Sequence, residues 1–322
     1  MPGTLRATMT AAARRVRAYF APVNRATSAP TVFNLGRDGS FPLDAPPPGW
    51  LDLGSIENFS RRPGTRIQAA RSGPSGGIAS QFRSQLEARL GFDFRDWGKL
   101  QMALAGGSEH FNVLAADVSS DPSGQTPFAA APLESGSSAT ELVLDPAVLV
   151  GFAAGDPVAV DLDYAGETGY VGAGLPGAFV RDSADIGGDA GFIRRVTFNV
   201  GRVASKTGTA LVLAQPLIAG VPPAGAKAQK VAGFADREGG TFFQEWSGLF
   251  VVPEELGGRV VFYYPRLQVA APAQEQVTDL EPPLRALSLH TELTALPSHD
   301  TLDGQPVVCY RAFFPATSAA LY

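Results

Sequence analysis

The clearest pattern of hydrophobic and polar positions in this chain lies in residues 81–94. Even positions there hold apolar or small side chains, and odd positions hold polar or charged ones apart from Gly91. Such alternation is typical of a strand with one buried face and one wet face, and it runs here for about twice the usual strand length. The predicted core face consists of Phe82, Leu86, Leu90 and Phe92. The predicted wet face consists of Arg83, Gln85, Glu87, Arg89 and Asp93.

A short helix is predicted directly after this strand, over residues 95–105. The apolar residues at helical spacing are Trp97, Leu100, Ala103 and Leu104. Asp96 is a suitable N-cap, and Gly106-Gly107 is a typical C-terminal stop. We expect the apolar stripe of this helix to pack against the neighbouring strands.

The rest of the chain is predicted to form mainly short strands. The β-rich stretches are residues 158–164, 192–203, 209–213, 241–252, 259–264, 287–295 and 307–314. The chain contains 36 glycines and 26 prolines without a collagen-like period, which favours many turns. The predicted fold class is therefore mainly β, with a separate small sandwich or barrel in the middle of the chain.

Four segments follow from these patterns. Residues 1–30 are predicted to be an N-terminal arm with one short helix around residues 10–19. Residues 31–116 and 236–322 are predicted to form the two halves of one domain. Residues 117–235 are predicted to be a linker, rich in Ser, Gly, Pro, Asp and Ala, followed by the inserted β-domain.

Composition excludes few classes of function, but it limits the kinds of partner that the protein is expected to bind. The formal net charge is −5 and only 18% of residues are charged, so there is no strongly basic field overall for nucleic-acid binding, the exception being the arginines of the N-terminal arm. A surface with so few charges suits a protein that is largely covered by copies of itself. Cys309, the only cysteine, fits a reducing compartment, and no apolar run is long enough to span a bilayer.

Short motifs that would indicate chemistry are weak in this sequence. Residues 73–77 match G-x-S-x-G around Ser75, and residues 172–177 match G-x-G-x-x-G, but both lie in Gly-rich turns without the required helix. Asp182, Asp185 and Asp189 match no known calcium loop. The three histidines show no metal-ligand spacing with each other or with the cysteine. We therefore expect a non-enzymatic protein without cofactor or metal.

Two parts of the chain resemble bacteriophage tail tube proteins. The first runs from Gly49-Trp50-Leu51-Asp52-Leu53-Gly54-Ser55-Ile56 through the alternating strand and the following helix. The second is Leu293-Thr294-Ala295-Leu296 through Asp300, Asp303-Gly304-Gln305 and residues 307–315. The resemblance lies in pattern and covers about half of the chain.

The resemblance implies a tail-tube-like antiparallel β-sandwich or barrel with one flanking helix. It implies rings, commonly hexameric, that stack into a hollow tube through which DNA passes without specific binding. The implied partners are the chain itself and other tail proteins, with no membrane, in a virion tail assembled in the bacterial host cytoplasm. The wet face of the long strand would then line the channel, strands would pair between subunits, and the inserted domain would lie outside the tube.

Other readings of the sequence stay open at this stage. One is another virion component of the same β-rich type, such as a tail terminator, a baseplate protein or a capsid-associated protein. A second is a carbohydrate-binding or adhesive β-module, which exposed Trp50, Trp97 or Trp246 on one concave surface would favour. A third is a hydrolase that uses Ser75 as its nucleophile.

Overall fold

A computed structural model shows a mainly β protein. It describes residues 15–23, 28–47, 49–74, 76–94, 98–107, 109–115, 128–163, 192–237, 244–254, 257–271, 275–276 and 288–315. Every strand pairing in these ranges is antiparallel, which confirms the predicted fold class. No helix in the same ranges has the length and apolar character needed to cross a bilayer.

The elements are numbered here in chain order. The strands of the first half are β1 (Val16–Pro22), β2 (Leu51–Pro63), β3 (Arg66–Ser72), β4 (Gly77–Gln85), β5 (Ala88–Phe94), β6 (Glu109–Leu114), β7 (Ala131–Pro132), β8 (Glu141–Val143) and β9 (Pro157–Asp161). Those of the second half are β10 (Val200–Lys206), β11 (Ala210–Leu213), β12 (Lys227–Arg237), β13 (Trp246–Pro253), β14 (Arg259–Ala271), β15 (Glu275–Gln276), β16 (Ser288–Ala295), β17 (Ser298–His299), β18 (Pro306–Val307) and β19 (Tyr310–Phe314). The helices are α1 (Leu35–Asp38), α2 (Lys99–Gly106), α3 (Pro146–Leu149) and α4 (Phe192–Val196).

Six strands close into a barrel. Around the barrel, β1 pairs with β2 and β13, β13 with β14, β14 with β16, β16 with β5, and β5 again with β2. The sheet can close because β2 and β14 are long, at 13 residues each. β2 pairs with β1 along its first half and with β5 along its second, and β14 pairs with β13 and then, near its end, with β16. β19 adds to β14 beside the barrel. Closing a sheet removes exposed edges, which would otherwise attract other chains.

The barrel encloses one apolar cluster and carries a second on its outside. Phe20, Phe92 and Phe250 lie at the centre of the inner cluster, against which α2 also packs. On the outer side, residues 28–50 cover β1, β13 and β14 through an aromatic cluster that includes Phe33 and Trp50. Because it is covered on both sides, β1 is fully buried from Ala18 to Ala21.

A second sheet of seven strands has its own apolar cluster. Its order is β6-β12-β9-β10-β11-β8, with β7 also paired to β12. Its core includes Phe152, Val160 and Leu211. This sheet runs from Glu109 to Arg237, so it begins before residue 117, the predicted start of the inserted segment. The difference arises because β6 pairs with β12 and not with the barrel.

Two other predictions about local structure are wrong. The supposed N-terminal arm contains β1, a central strand of the barrel, where a short helix was predicted for residues 10–19; residues 10–14 lie outside the described residues. The single long strand over residues 81–94 is interrupted at Leu86-Glu87, which separates β4 from β5. The two parts belong to different sheets, because β5 follows the barrel whereas β4 pairs only with β3.

Candidate assembly surfaces

The outer side of β2, β5 and β16 presents a polar surface, here called the polar face. Three rows of directly paired residues cross it: Arg62, Arg89 and Thr294; Ser60, Gly91 and Glu292; Glu57, Asp93 and His290. Outward and inward side chains alternate along a strand, so Leu90 and Phe92 of β5 and Leu289 and Leu293 of β16 point into the barrel core. The polar face therefore contains no large apolar side chain in these rows.

Charges on the polar face are partly paired within it. His290 Nδ1 lies 2.6 Å from Asp93 Oδ1, and Asn58 Nδ2 donates a hydrogen bond to Asp93 Oδ2. Arg89 Nε donates to Glu87 Oε1 at 3.0 Å. Nevertheless Arg62 stands directly opposite Arg89, an arrangement of like charges that costs stability in an isolated sheet. Unfavourable local arrangements, such as this pair of like charges, are often found at functional surfaces.

The predicted wet face is therefore only partly assembled on the barrel. Arg89 and Asp93 lie on the polar face, and Glu87 lies at the junction between β4 and β5. Arg83 is exposed on β4, away from the barrel, and the side chain of Gln85 lies outside the described residues. Both edges of β5 are paired within the chain, so the idea that this strand is completed only by a neighbouring subunit is wrong.

The predicted core face divides at the same point. Leu90 and Phe92 are buried in the barrel core, as predicted. Leu86 is half-buried, and Phe82 is 52% exposed, so its assignment to the core is wrong. The reason is that, among the described residues, β4 pairs only with β3 and is not a strand of the barrel.

β3 and β4 form a two-stranded hairpin, residues 66–85, here called the projecting hairpin. Its strands pair only with each other in the described part of the chain, from Arg66 opposite Gln85 to Ser72 opposite Gly77. Every described side chain of the two strands is exposed. Seven extended residues give a length of about 23 Å. The hairpin continues the β2–β5 ribbon outward from the barrel, with Gly64 N donating to Glu87 O at the base.

The projecting hairpin is both basic and apolar. It contains Arg66, Arg71 and Arg83 and no lysine, aspartate or glutamate. Ile67 and Ile78 are 64% and 54% exposed. Large apolar groups at such exposure, together with Phe82, are typical of a surface that meets a partner.

The motif around Ser75 forms the turn of this hairpin. Gly73 and Gly76 both have positive φ, and Gly76 N donates to Gly73 O at 3.1 Å. Glycine adopts these angles without strain. The turn joins two strands and so lacks the strand-to-helix geometry of a nucleophile elbow, and Ser75 itself lies outside the described residues.

Several other predicted residues can be placed, and some cannot. Leu100 and Leu104 are buried on α2 against the barrel core, as predicted, and Gly107 ends the helix with positive φ. Trp50 and Trp246 are buried, so they do not form the concave sugar-binding surface considered above. Some residues named in the sequence analysis lie outside the described ranges, namely Asp96, Trp97, Asp182, Asp185, Asp189 and the segment 172–177.

A buried polar cluster joins α2 to the end of α4 and to the segment that leads from α4 to β10. Lys99 Nζ donates to the carbonyl oxygens of Val196 (3.0 Å) and Thr197 (2.5 Å), at the C-terminal end of α4. It also lies 4.5 Å from the centre of the Phe198 ring. A cation is favourable at the C-terminal end of a helix. Burial nevertheless lowers the pKa of Lys99 well below its ordinary value.

Sequence reasoning missed this cluster. A lysine in an amphipathic helix is normally exposed, and only the position of α4 makes Lys99 an internal donor. The same holds for Arg194, which is 2% exposed and binds Gln229 and Asp163. No spacing in the sequence indicates these contacts, because their partners lie far apart along the chain.

His110 is a buried histidine of β6 near the contact between the two sheets. Its ring packs 4.6 Å from Phe198 and 6.2 Å from Trp246, and burial followed by the charge of Lys99 lowers its pKa well below 6.5. The unfolded chain binds a proton near pH 6.5 but the folded chain does not. The stability contributed by neutral His110 is therefore present above pH 6.5 and lost as the pH falls below it.

We expect the free energy of unfolding to fall, through His110 alone, by up to about 1.4 kcal/mol per pH unit below pH 6.5. Denaturant unfolding of the wild type and of His110→Phe between pH 5 and 8 measures this contribution as a difference in slope. Lys99 is common to both proteins, so its own titration largely cancels. Equal slopes in the two proteins would show that His110 is not the group responsible.

Comparison of the chain with protein-family models gives no match, and comparison with curated proteins gives none either.

Proposed function

We propose that this chain is a structural virion protein that assembles into stacked rings, forming the tail tube of a long-tailed phage. The observation that carries the proposal is the projecting hairpin, which has no packing partner on its own subunit in the described chain. A two-stranded hairpin alone in water is marginally stable at best. Self-assembly gives this hairpin a surface to pack against.

The polar face supports the second part of the proposal, which is that the assembly conducts DNA. Two arginines face three carboxylates in its rows, so the surface is mixed in sign and not basic. DNA binds proteins mainly by neutralising its phosphates with lysine and arginine. A channel lined by this face would be wet and would let DNA pass without holding it.

Because the barrel is closed, subunits would join in a different way from the strand pairing between subunits that the sequence pattern implied. Because β5 is paired on both sides within the chain, neighbouring rings and subunits would meet through surfaces of folded barrels and through the hairpins. The seven-stranded sheet has its own core, which suits a domain displayed on the outside of the tube. A core of its own lets such a domain face solvent without help from the barrel.

Negative-stain electron microscopy of the purified full-length protein over a range of concentrations tests this proposal. We expect hollow rings at low concentration and stacked tubes at high concentration. Rings that never stack would favour another virion component, such as a terminator. Solitary compact particles at every concentration would contradict self-assembly altogether.

A further inference from the structure

We infer that the projecting hairpin docks on the acidic body of a second copy of this chain and is contacted there on both of its faces. This inference rests on the proposed function, because it names the partner that completes the hairpin. It adds two properties that the proposal does not contain: the attraction is electrostatic, and the hairpin is enclosed rather than laid flat on a surface.

The charge distribution identifies the partner. The hairpin carries three arginines and no acidic residue, whereas the whole chain has a formal net charge of −5. The rest of the chain therefore carries −8. The body of a second copy thus has a net charge opposite in sign to that of the hairpin, and complementary charge both speeds association and fixes orientation.

The distribution of apolar residues indicates contact on both faces. Phe82 stands opposite Gln68, so these two side chains share one face of the hairpin. Ile67 stands opposite Arg83 on the other face, because consecutive residues of a strand point in opposite directions. Each face thus combines at least one large apolar group with polar neighbours, the composition of a small interface core with its rim.

The remaining neighbours are small enough to allow close approach. Ala69 is beside Gln81 on the face of Ile67, and Ala70 is beside Ser80 on the face of Phe82. With a length of about 23 Å, the hairpin reaches well beyond the surface of its own barrel. A narrow ribbon with an apolar group on each side fits a cleft between two surfaces better than one flat surface.

Sedimentation velocity of the full-length protein tests the electrostatic part. The double variant Arg71→Glu, Arg83→Glu should raise the concentration needed for assembly at least tenfold, and added salt should weaken wild-type assembly. Arg202→Glu, at an exposed arginine on β10 of the other sheet, is the matched charge control for the single variants Arg71→Glu and Arg83→Glu. Monomer folding should be unchanged in the hairpin variants, because the strands of the hairpin pair only with each other among the described residues.

Single apolar substitutions and crosslinking test the two-face contact. Ile67→Ser and Phe82→Ser should each impair assembly, whereas Leu302→Ser should not, although Leu302 is 94% exposed at the turn of another hairpin. In a Cys309→Ser background, a benzophenone probe placed at Gln68→Cys or at Ala69→Cys should crosslink to a second copy from either position.

The outcomes separate this inference from the proposed function. Wild-type assembly with unaffected hairpin variants would overturn the inference and leave the tube proposal standing. Crosslinks from only one of the two positions would overturn the two-face contact. Binding of a short DNA duplex that the double variant abolishes, with assembly unchanged, would show that the hairpin recognises a polyanion instead. A wild type that never assembles would overturn both.

Discussion

Replacing Phe250 by alanine should lower the free energy of unfolding by about 3–5 kcal/mol, the usual cost of removing a large aromatic side chain from a closed core. Phe250 is completely buried. Its ring lies 4.8 Å from Phe59, 5.6 Å from Phe20, 5.8 Å from Phe92 and 5.9 Å from Tyr264. These four rings come from β1, β2, β5 and β14, so Phe250 holds together strands from all around the barrel.

Phe82→Ala is the matched control for this substitution. It removes the same side chain from the exposed hairpin, where we expect a change below about 0.5 kcal/mol in the monomer. Denaturant unfolding below the assembly concentration measures both values. If the two substitutions cost the same, the barrel core is not organised around Phe250, or the hairpin is packed against the body.

Replacing Trp246 by alanine should also cost about 3–5 kcal/mol, and it should loosen the contact between the two sheets. Trp246 is completely buried at the start of β13. Its ring lies 6.5 Å from Phe20 in the barrel, 6.0 Å from Phe198 in the segment between α4 and β10, and 6.2 Å from His110 on β6 of the seven-stranded sheet. Its removal therefore leaves a cavity bordered by the barrel core and by His110 of the other sheet.

Hydrogen exchange distinguishes this effect from a general loss of stability. In Trp246→Ala, amide exchange should rise more in residues 109–115 and 197–203 than it does in Phe250→Ala. Trp246→Phe is the control, because it keeps an aromatic ring and removes an indole N–H that has no hydrogen-bond partner among the described residues. It should cost well under half as much as alanine. Exchange confined to the barrel in Trp246→Ala would contradict a role of Trp246 in the contact between the two sheets.

Alternation of apolar and polar residues predicted some strands well. In β16, Leu289, Leu293 and Ala295 are buried whereas His290 and Glu292 are exposed, as the alternation indicates. This strand lies on the barrel surface, with the core on one side and solvent on the other. Periodicity is reliable in such a case because burial has the same period as the pleat.

The same alternation gave a wrong prediction where the surroundings of the chain change although the sequence pattern does not. Leu86 and Glu87 continue the pattern without a break, although the ribbon leaves the barrel there. A sequence pattern shows which side of a strand is apolar but not whether a protein body lies beneath it. The exposure of Phe82 on the hairpin is the result.

The prediction for the N-terminal segment was wrong for the opposite reason. Val16–Pro22 follows a run of arginines and has no clear alternation, because both of its faces are buried. The second face is covered by residues 28–50, whose arrangement depends on the finished barrel. Burial of this kind comes from tertiary context, which overrides local propensity.

The polar face was predicted only in part, for a related reason. Arg89 and Asp93 followed from the alternation, whereas Arg62 and His290 became their neighbours only through strand pairing. The basic character of the projecting hairpin was present in the sequence. It became meaningful only when β3 and β4 were found to stand apart from the body.

The central claim is that subunits form a hollow ring with the polar face towards the channel. A cryo-electron microscopy reconstruction of the assembled full-length protein tests it most directly. The account predicts an open axis bordered by β2, β5 and β16, with Arg62, Arg89 and Glu292 facing the channel and each hairpin held by another copy. A reconstruction with this face turned outward, or particles without an axial opening, would contradict it.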